Sequence, residues 1–184
     1  MATPTTLPAT FVAGNVLTAA QMNDLRGAFR VLQVVSTTKT DTFSASVAAG
    51  SFAAVTGLTA TITPQSATSK ILVMASVSAG SASAADGISA KITGGNSASY
   101  VGALNGSRTQ SASIAFATTI ASTLNLTYLD SPASTSALTY GVSLTFSETG
   151  TTPITVYCNR GRNDTNAAYT MSTASTITVM EISA

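Results

Sequence analysis

Hydrophobic positions along this chain follow two periods, and the change between them falls near residue 31. Before it, Met22, Leu25, Phe29 and Leu32 recur at three- and four-residue intervals, which places them on one stripe of an α-helix. Thr18 and Gln21 make a T-x-x-Q capping box at its start, and Leu17, just ahead of the cap, can staple onto Met22. Asp24 in the early turns and Arg26 and Arg30 in the later ones suit the helix dipole. Gly27 inside the helix costs about 1 kcal/mol relative to Ala. A helix of about a dozen residues is marginal alone, so its stripe needs a covering surface. Residues 2–10, with two prolines and four threonines, read as an extended arm ahead of it.

After residue 31 the period is two. In "ALTYGVSLTFSE", Leu138, Tyr140, Val142, Leu144 and Phe146 alternate with Thr139, Gly141, Ser143 and Thr145, the signature of a strand with one buried face. "SIAFATTI" puts Ile114, Phe116 and Ile120 on one face, "TLNLTYLD" does the same with Leu124, Leu126 and Tyr128, and "TPITVYCN" with Ile154, Val156 and Cys158. "SKILVMASVSAG" and "STITVMEIS" are apolar on both faces and read as central or interface strands. About ten such runs are separated by turn chemistry such as "TPQSATS", "GGNS", "LNGS", "DSPAS" and "ETGTTP". The Ser-, Ala- and Gly-rich segment 78–113 is weaker and reads as end loops or thin strands. The pattern predicts an all-β fold: an antiparallel, jelly-roll-like β-sandwich over residues 34–184, preceded by an arm and helix over residues 1–33.

Composition narrows the function classes. Only 8% of the 184 residues are charged, against about 25% in average proteins, and the formal net charge is +1. No electrostatic footprint for nucleic acid or an anionic membrane is visible. A hydrophobic share of 45% argues against disorder. Ser and Thr together number 57, so the surface is built from hydroxyls, which suits packing against copies or other chains. "MATPTTLPAT" lacks the basic and apolar regions of a secretory signal, and no run reaches the roughly 18 apolar residues of a membrane span. The single cysteine, Cys158, leaves no internal disulfide and points to folding in a reducing cytosol. The sequons at Asn105, Asn125 and Asn163 then read as chance.

Chemistry is sparse. With no histidine, neither a Ser-His triad nor a His-ligated metal site is available. The seven carboxylates are scattered, with Asp86, Asp130, Glu148 and Asp164 falling in expected loops, and no glycosidase-like pair is marked. Cys158 shares a face with two aliphatic residues and reads as a small buried hydrophobe. "ITGGNS" lacks the lysine of a phosphate-binding loop. "NRGRND", with Arg160, Arg162 and Asp164, is the most polar stretch, open to reading as an acidic-glycan contact, a solvated hairpin or an inter-subunit salt bridge. The Thr-x-Thr patterns in "TATIT" and "STIT" would suit an ice-binding face, but they do not repeat at fixed spacing, and strand propensity accounts for them. The expectation is a protein without catalytic residues, metal or cofactor.

"FVAGNVLTAAQMNDLRG", residues 11–27, resembles the N-terminal segment of many bacteriophage tail-fibre and minor tail proteins. There a W/F-x-A-G-x-x-(L/V)-T-A-A-Q-(M/L)-N motif precedes a short helix and a variable domain. "GLTATITPQSATSKILV" and "STITVMEIS" resemble the first and last strands of jelly-roll domains in phage fibre proteins. The resemblance implies a virion structural protein made in the bacterial cytoplasm: a homotrimeric short fibre or spike, or alternatively a capsid decoration protein. A Thr-rich ice- or glycan-binding module is the remaining alternative. It implies docking to other virion proteins through Phe11, Leu17, Met22, Leu25 and Phe29. Recognition of a host-surface glycan would fall to the far loops, with Tyr100, Arg108, Arg160 and Arg162 as contacts, and neither nucleic acid nor membrane insertion is expected.

Overall fold

In a computed structural model, residues 31–83, 87–95, 100–116, 119–147 and 152–183 are described, together with Gly14, Val16, Thr18, Ala19 and Met22. Period-two alternation becomes ten strands among them: β1 (Val31–Lys39), β2 (Phe43–Val47), β3 (Ala53–Ile62), β4 (Lys70–Ser81), β5 (Gly87–Thr93), β6 (Ser113–Phe116), β7 (Ser122–Asp130), β8 (Leu138–Ser147), β9 (Ile154–Cys158) and β10 (Ser175–Ile182). Every pairing is antiparallel.

The long strand β4 organises the larger sheet. One of its edges pairs with β7 along Ile71–Ala79, and the other takes β10 along its first half and β9 along its second. Beyond these, β1 pairs with β10 and β2 with β9. β1–β2 and β9–β10 are thus two long strands, each broken partway. With each broken pair counted as one strand, the eight positions run 1-8-3-6 in this sheet and 2-7-4-5 in the β3–β8–β5–β6 sheet. That order is the jelly roll anticipated from the sequence. Val73, Val77, Leu124, Leu126, Ile177 and Val179 from one sheet share a core with Leu58, Ile62, Ile88, Ile92, Tyr140 and Leu144 from the other.

Three expectations change. First, the head begins at Val31, which pairs with Ile182, so residues 31–33 belong to the sandwich and not to the arm. Second, β8 is buried on both faces: Gly141 sits between Thr59 and Thr93, and Thr145 lies beneath the turn at Ala49–Gly50. Third, Ile114 and Phe116 do share a face of β6, but that face points outward, with Phe116 77% exposed, and Ile120 lies beyond the end of the strand. The expected helix lies almost wholly outside the described residues; Met22 N–H donates to Thr18 O at 3.0 Å.

The two strand breaks lie side by side and are joined by Asn159, which adopts the left-handed conformation (φ 63°) that asparagine tolerates better than most residues. Its Nδ2 donates to Lys39 O (2.8 Å) and Asp41 O (2.9 Å), and its N–H donates to Ser78 O (2.8 Å). Ser175 Oγ donates to its Oδ1 (2.6 Å). Residues 159–174 leave the sheet here and return in register. The excursion hugs the sandwich because Gly80 and Gly161 have no side chains: a Cβ on Gly80 would meet Arg160 O at 2.8 Å, and one on Gly161 would meet Thr119 O at 2.6 Å.

At the opposite end, the fully buried Glu181 ties three segments together. Gln33 Nε2 donates to its Oε2 (2.6 Å), and Gln65 N–H donates to its Oε1 (2.8 Å). Burial alone would raise this carboxyl, but the Gln33 amide and the N–H groups of Gln65 and Ser66 outweigh it and hold the group below its ordinary 4.5. Its contribution is therefore complete above pH 4.5 and is lost as pH falls through the folded value. Glu181→Gln should lower stability at pH 7 by about 1–3 kcal/mol, since an amide nitrogen then faces donors. Urea titrations should show the gap between the two proteins closing below about pH 4.5. A gap that stays constant with pH would show that the charge is not what holds the staple.

Candidate functional site

The registers give the sandwich two distinct ends. Val31, Lys70 and Ile182 lie together at one end, with Asp130 beside Ile71. Val47, Ser81, Ser122 and Ile154 mark the other. The N-terminal segment therefore joins the head at the first end. Of its five expected docking residues, Phe11, Leu17, Leu25 and Phe29 lie outside the described residues, and Met22 is 48% exposed.

At that same end, the outer face of the large sheet carries an apolar row that crosses all four strand positions. Val34 lies opposite Met180, Met180 opposite Leu72, and Leu72 opposite Leu129. All four alternate with core residues and so point away from the core, with Val34 and Leu129 exposed. The next rows along the sheet turn polar apart from Met74: Ser36, Thr178, Met74 and Thr127, then Thr38, Thr176, Ser76 and Asn125. A second apolar surface lies toward the other end, where β6 is an edge strand. There Ile114, Phe116 and Ile120 are exposed, and Ile120 borders a hollow with Tyr169 and Met171 of the excursion.

The expected receptor contacts separate. Tyr100 is not a surface group: it is 4% exposed, and its ring meets Tyr128 edge-on with centroids 3.9 Å apart. It belongs to a buried cluster in which Tyr140 Oη donates to Asp130 Oδ2 at 2.8 Å. Burial first, and the Asp130 carboxylate second, push both Tyr100 and Tyr140 well above the ordinary phenol value. Asp130, expected in a loop, is fully buried at the end of β7.

Arg160 stacks on the Tyr157 ring (4.2 Å to its centroid) and pairs with Asp164 at 2.9 Å. Of the three readings of "NRGRND", this favours a solvated local contact, because the guanidinium is already engaged by Asp164 and by Tyr157 at the end of β9. Arg162 is exposed beside it. Arg108 stands apart, on the outer face of the smaller sheet. There it lines a cavity of about 390 Å³ with Gly50, Ser89, Thr109, Thr145 and Ser147. Sequence reasoning found Arg108 but missed Ser89 and Thr145. As small polar residues on the nominally wet faces of strands, they carry no mark of being covered.

The single thiol is engaged structurally. Cys158 is fully buried, 3.4 Å from Ser175 Oγ, and burial raises its thiol above the ordinary value more than the Ser175 hydroxyl lowers it. Among the described residues no group of three or more Cys, Asp or Glu is arranged to hold a metal, and no helix is long and apolar enough to cross a membrane. No protein-family model matches the chain, and a search of curated proteins finds no significant match. A thiol so placed should react with iodoacetamide at pH 8 only as fast as the protein unfolds, while the urea-denatured chain reacts at the rate of a free thiol. Labelling of the native protein at the free rate would return Cys158 to the set of reactive groups.

Proposed function

We propose that this chain is a bacteriophage virion protein: a short trimeric fibre or spike, without catalytic activity, made in the host cytoplasm. It attaches to the particle by its N-terminal segment and turns the opposite end of the sandwich toward the host surface. The polarity of the sandwich carries this reading. The N-terminal segment enters at Val31, beside the Val34–Met180–Leu72–Leu129 row. The turn at Ala49–Gly50, Ser147 and Arg108 lie toward the other end. Loops on a rigid sandwich vary without disturbing its core, which suits recognition. The fibre-like motif at residues 11–23 supports the same orientation.

Self-association follows from surface chemistry. Two apolar surfaces, the cross-strand row and the β6 edge with Ile114, Phe116 and Ile120, sit on a chain of only 8% charged residues. Exposed apolar groups in such clusters mark interaction sites, and an exposed strand edge invites pairing. Three parallel heads side by side, with the N-terminal segments gathered at one end, would cover both surfaces. The absence of catalysis is supported by the buried Cys158 and by Asp130 and Glu181, whose carboxylates hold the fold together.

Deleting residues 1–30 leaves β1 and the Gln33–Glu181 contact intact. The truncated protein should keep the β-sheet circular dichroism and cooperative melting of the full chain. Supplied to infected cells lacking the intact protein, it should be absent from purified particles. Incorporation at the level of the full chain would place the anchor elsewhere and overturn the attachment.

A further inference from the structure

Thr145 on β8 lies opposite Ser89 on β5, and both point to the outer face of the smaller sheet. Together they line the 390 Å³ cavity, with Gly50, Thr109, Ser111, Ser147 and the exposed Arg108 around them. Both hydroxyls are buried, Ser89 at 3% exposure and Thr145 at 1%. Ser89 Oγ donates its proton to Ser113 O at 2.8 Å, which leaves it only lone pairs to offer. Thr145 Oγ1 finds no hydrogen-bond partner among the described residues. A buried hydroxyl is ordinarily paired, so an unpartnered one in a cavity wall points to a ligand that pairs it.

We infer that this cavity binds a single neutral pyranose ring. The donor and acceptor inventory selects the class. A pyranose carries several hydroxyls that both donate and accept, around a ring with apolar C–H groups. The cavity answers with the hydroxyls of Thr109, Ser111, Thr145 and Ser147, the lone pairs of Ser89, a forked guanidinium, and the carbon surface of Ile114. An apolar ligand would leave Thr145 unpaired. An anion would need more cationic support than one arginine. Lys91, the next cation on this face, is already engaged over the Phe52 ring at 4.0 Å. Ligand pockets run to about 300–1,000 Å³, and this cavity, at the small end, fits one ring and not an oligosaccharide. The inference rests on the host-surface reading only for where the sugar comes from, a polysaccharide end in preference to free sugar.

The full-length protein is titrated by NMR with glucose, galactose, mannose and N-acetylglucosamine, and in parallel with glucuronate and inorganic phosphate. At least one neutral sugar should bind saturably and more tightly than glucuronate or phosphate. Thr145→Val keeps the shape and removes the hydroxyl, so its Kd for that sugar should rise about tenfold with no fall in melting temperature. Arg108→Ala, at an exposed position, should weaken binding similarly and decides the matter if Thr145→Val fails to fold. Failure of every neutral sugar to saturate, a preference for glucuronate or phosphate, or wild-type affinity in Arg108→Ala or in folded Thr145→Val would overturn the inference. Lost sugar binding with normal particle incorporation removes the cavity alone. Retained sugar binding in a protein that loads without residues 1–30 removes only the attachment.

Discussion

Asn159 holds together two strands that are broken at the same height, and the jelly roll depends on that join. Both protons of its side-chain nitrogen go to the carbonyls of Lys39 and Asp41, where the β1–β2 strand breaks. Its N–H reaches Ser78 on β4, and Ser175 at the start of β10 donates to its oxygen. Ser175 in turn accepts from Ser78 N–H at 2.9 Å, and Thr173 Oγ1 donates to Ser78 Oγ at 2.7 Å. A buried break in two adjacent ladders would otherwise strand several backbone groups. With those groups paired, residues 159–174 can leave the sheet and β10 can resume in register, ending with Ile182 beside Val31. The entry point of the N-terminal segment, and with it the polarity of the head, follows from that register.

Several of the charges among the described residues are consumed in the same way. Lys39 is buried and paired with Asp41 at 2.6 Å, Glu181 accepts from the segments around it, and Arg160 is paired with Asp164. Hydroxyls and aliphatic groups make up most of the outer faces. Cross-strand hydroxyl pairs such as Thr61–Thr139 (2.8 Å) and Ser36–Thr178 (2.9 Å) give the sheets a polar finish without charge. Such a surface offers little electrostatic resistance to close packing of like chains, and that is the physical link between this composition and the multimeric role we propose.

Much of the fold was legible because strand alternation is a local signal. β7, β8, β9 and β10 could be read from residues such as Leu124, Leu126, Tyr140, Val142 and Ile177, and a β-sandwich follows from their number and spacing. Alternation, however, tells which residues share a face and not which face is inside. Ile114 and Phe116 were placed together correctly, yet they point outward because β6 is an edge strand. Tyr100 was misjudged because the Gly- and Ser-rich segment around it has no period, and its burial is set by Tyr128 and Asp130, remote in sequence. Glu181 did leave a trace, since it takes an inward position in "TITVMEI", but its partners Gln33 and Gln65 lie more than a hundred residues away. The cavity at Thr145 left none, because loops from two other parts of the chain build its walls.

The claim that the head works as a trimer on a particle meets its most direct test in the mass of the purified full-length protein. Native mass spectrometry at micromolar concentration should give about three times the 18.4 kDa of one chain. Obligate interfaces bury about 2,000 Å² or more, so the trimer should persist on tenfold dilution. A single species at 18.4 kDa would contradict the account. The Val34–Met180–Leu72–Leu129 row and the Phe116 edge would then stand as faces that no sister chain covers.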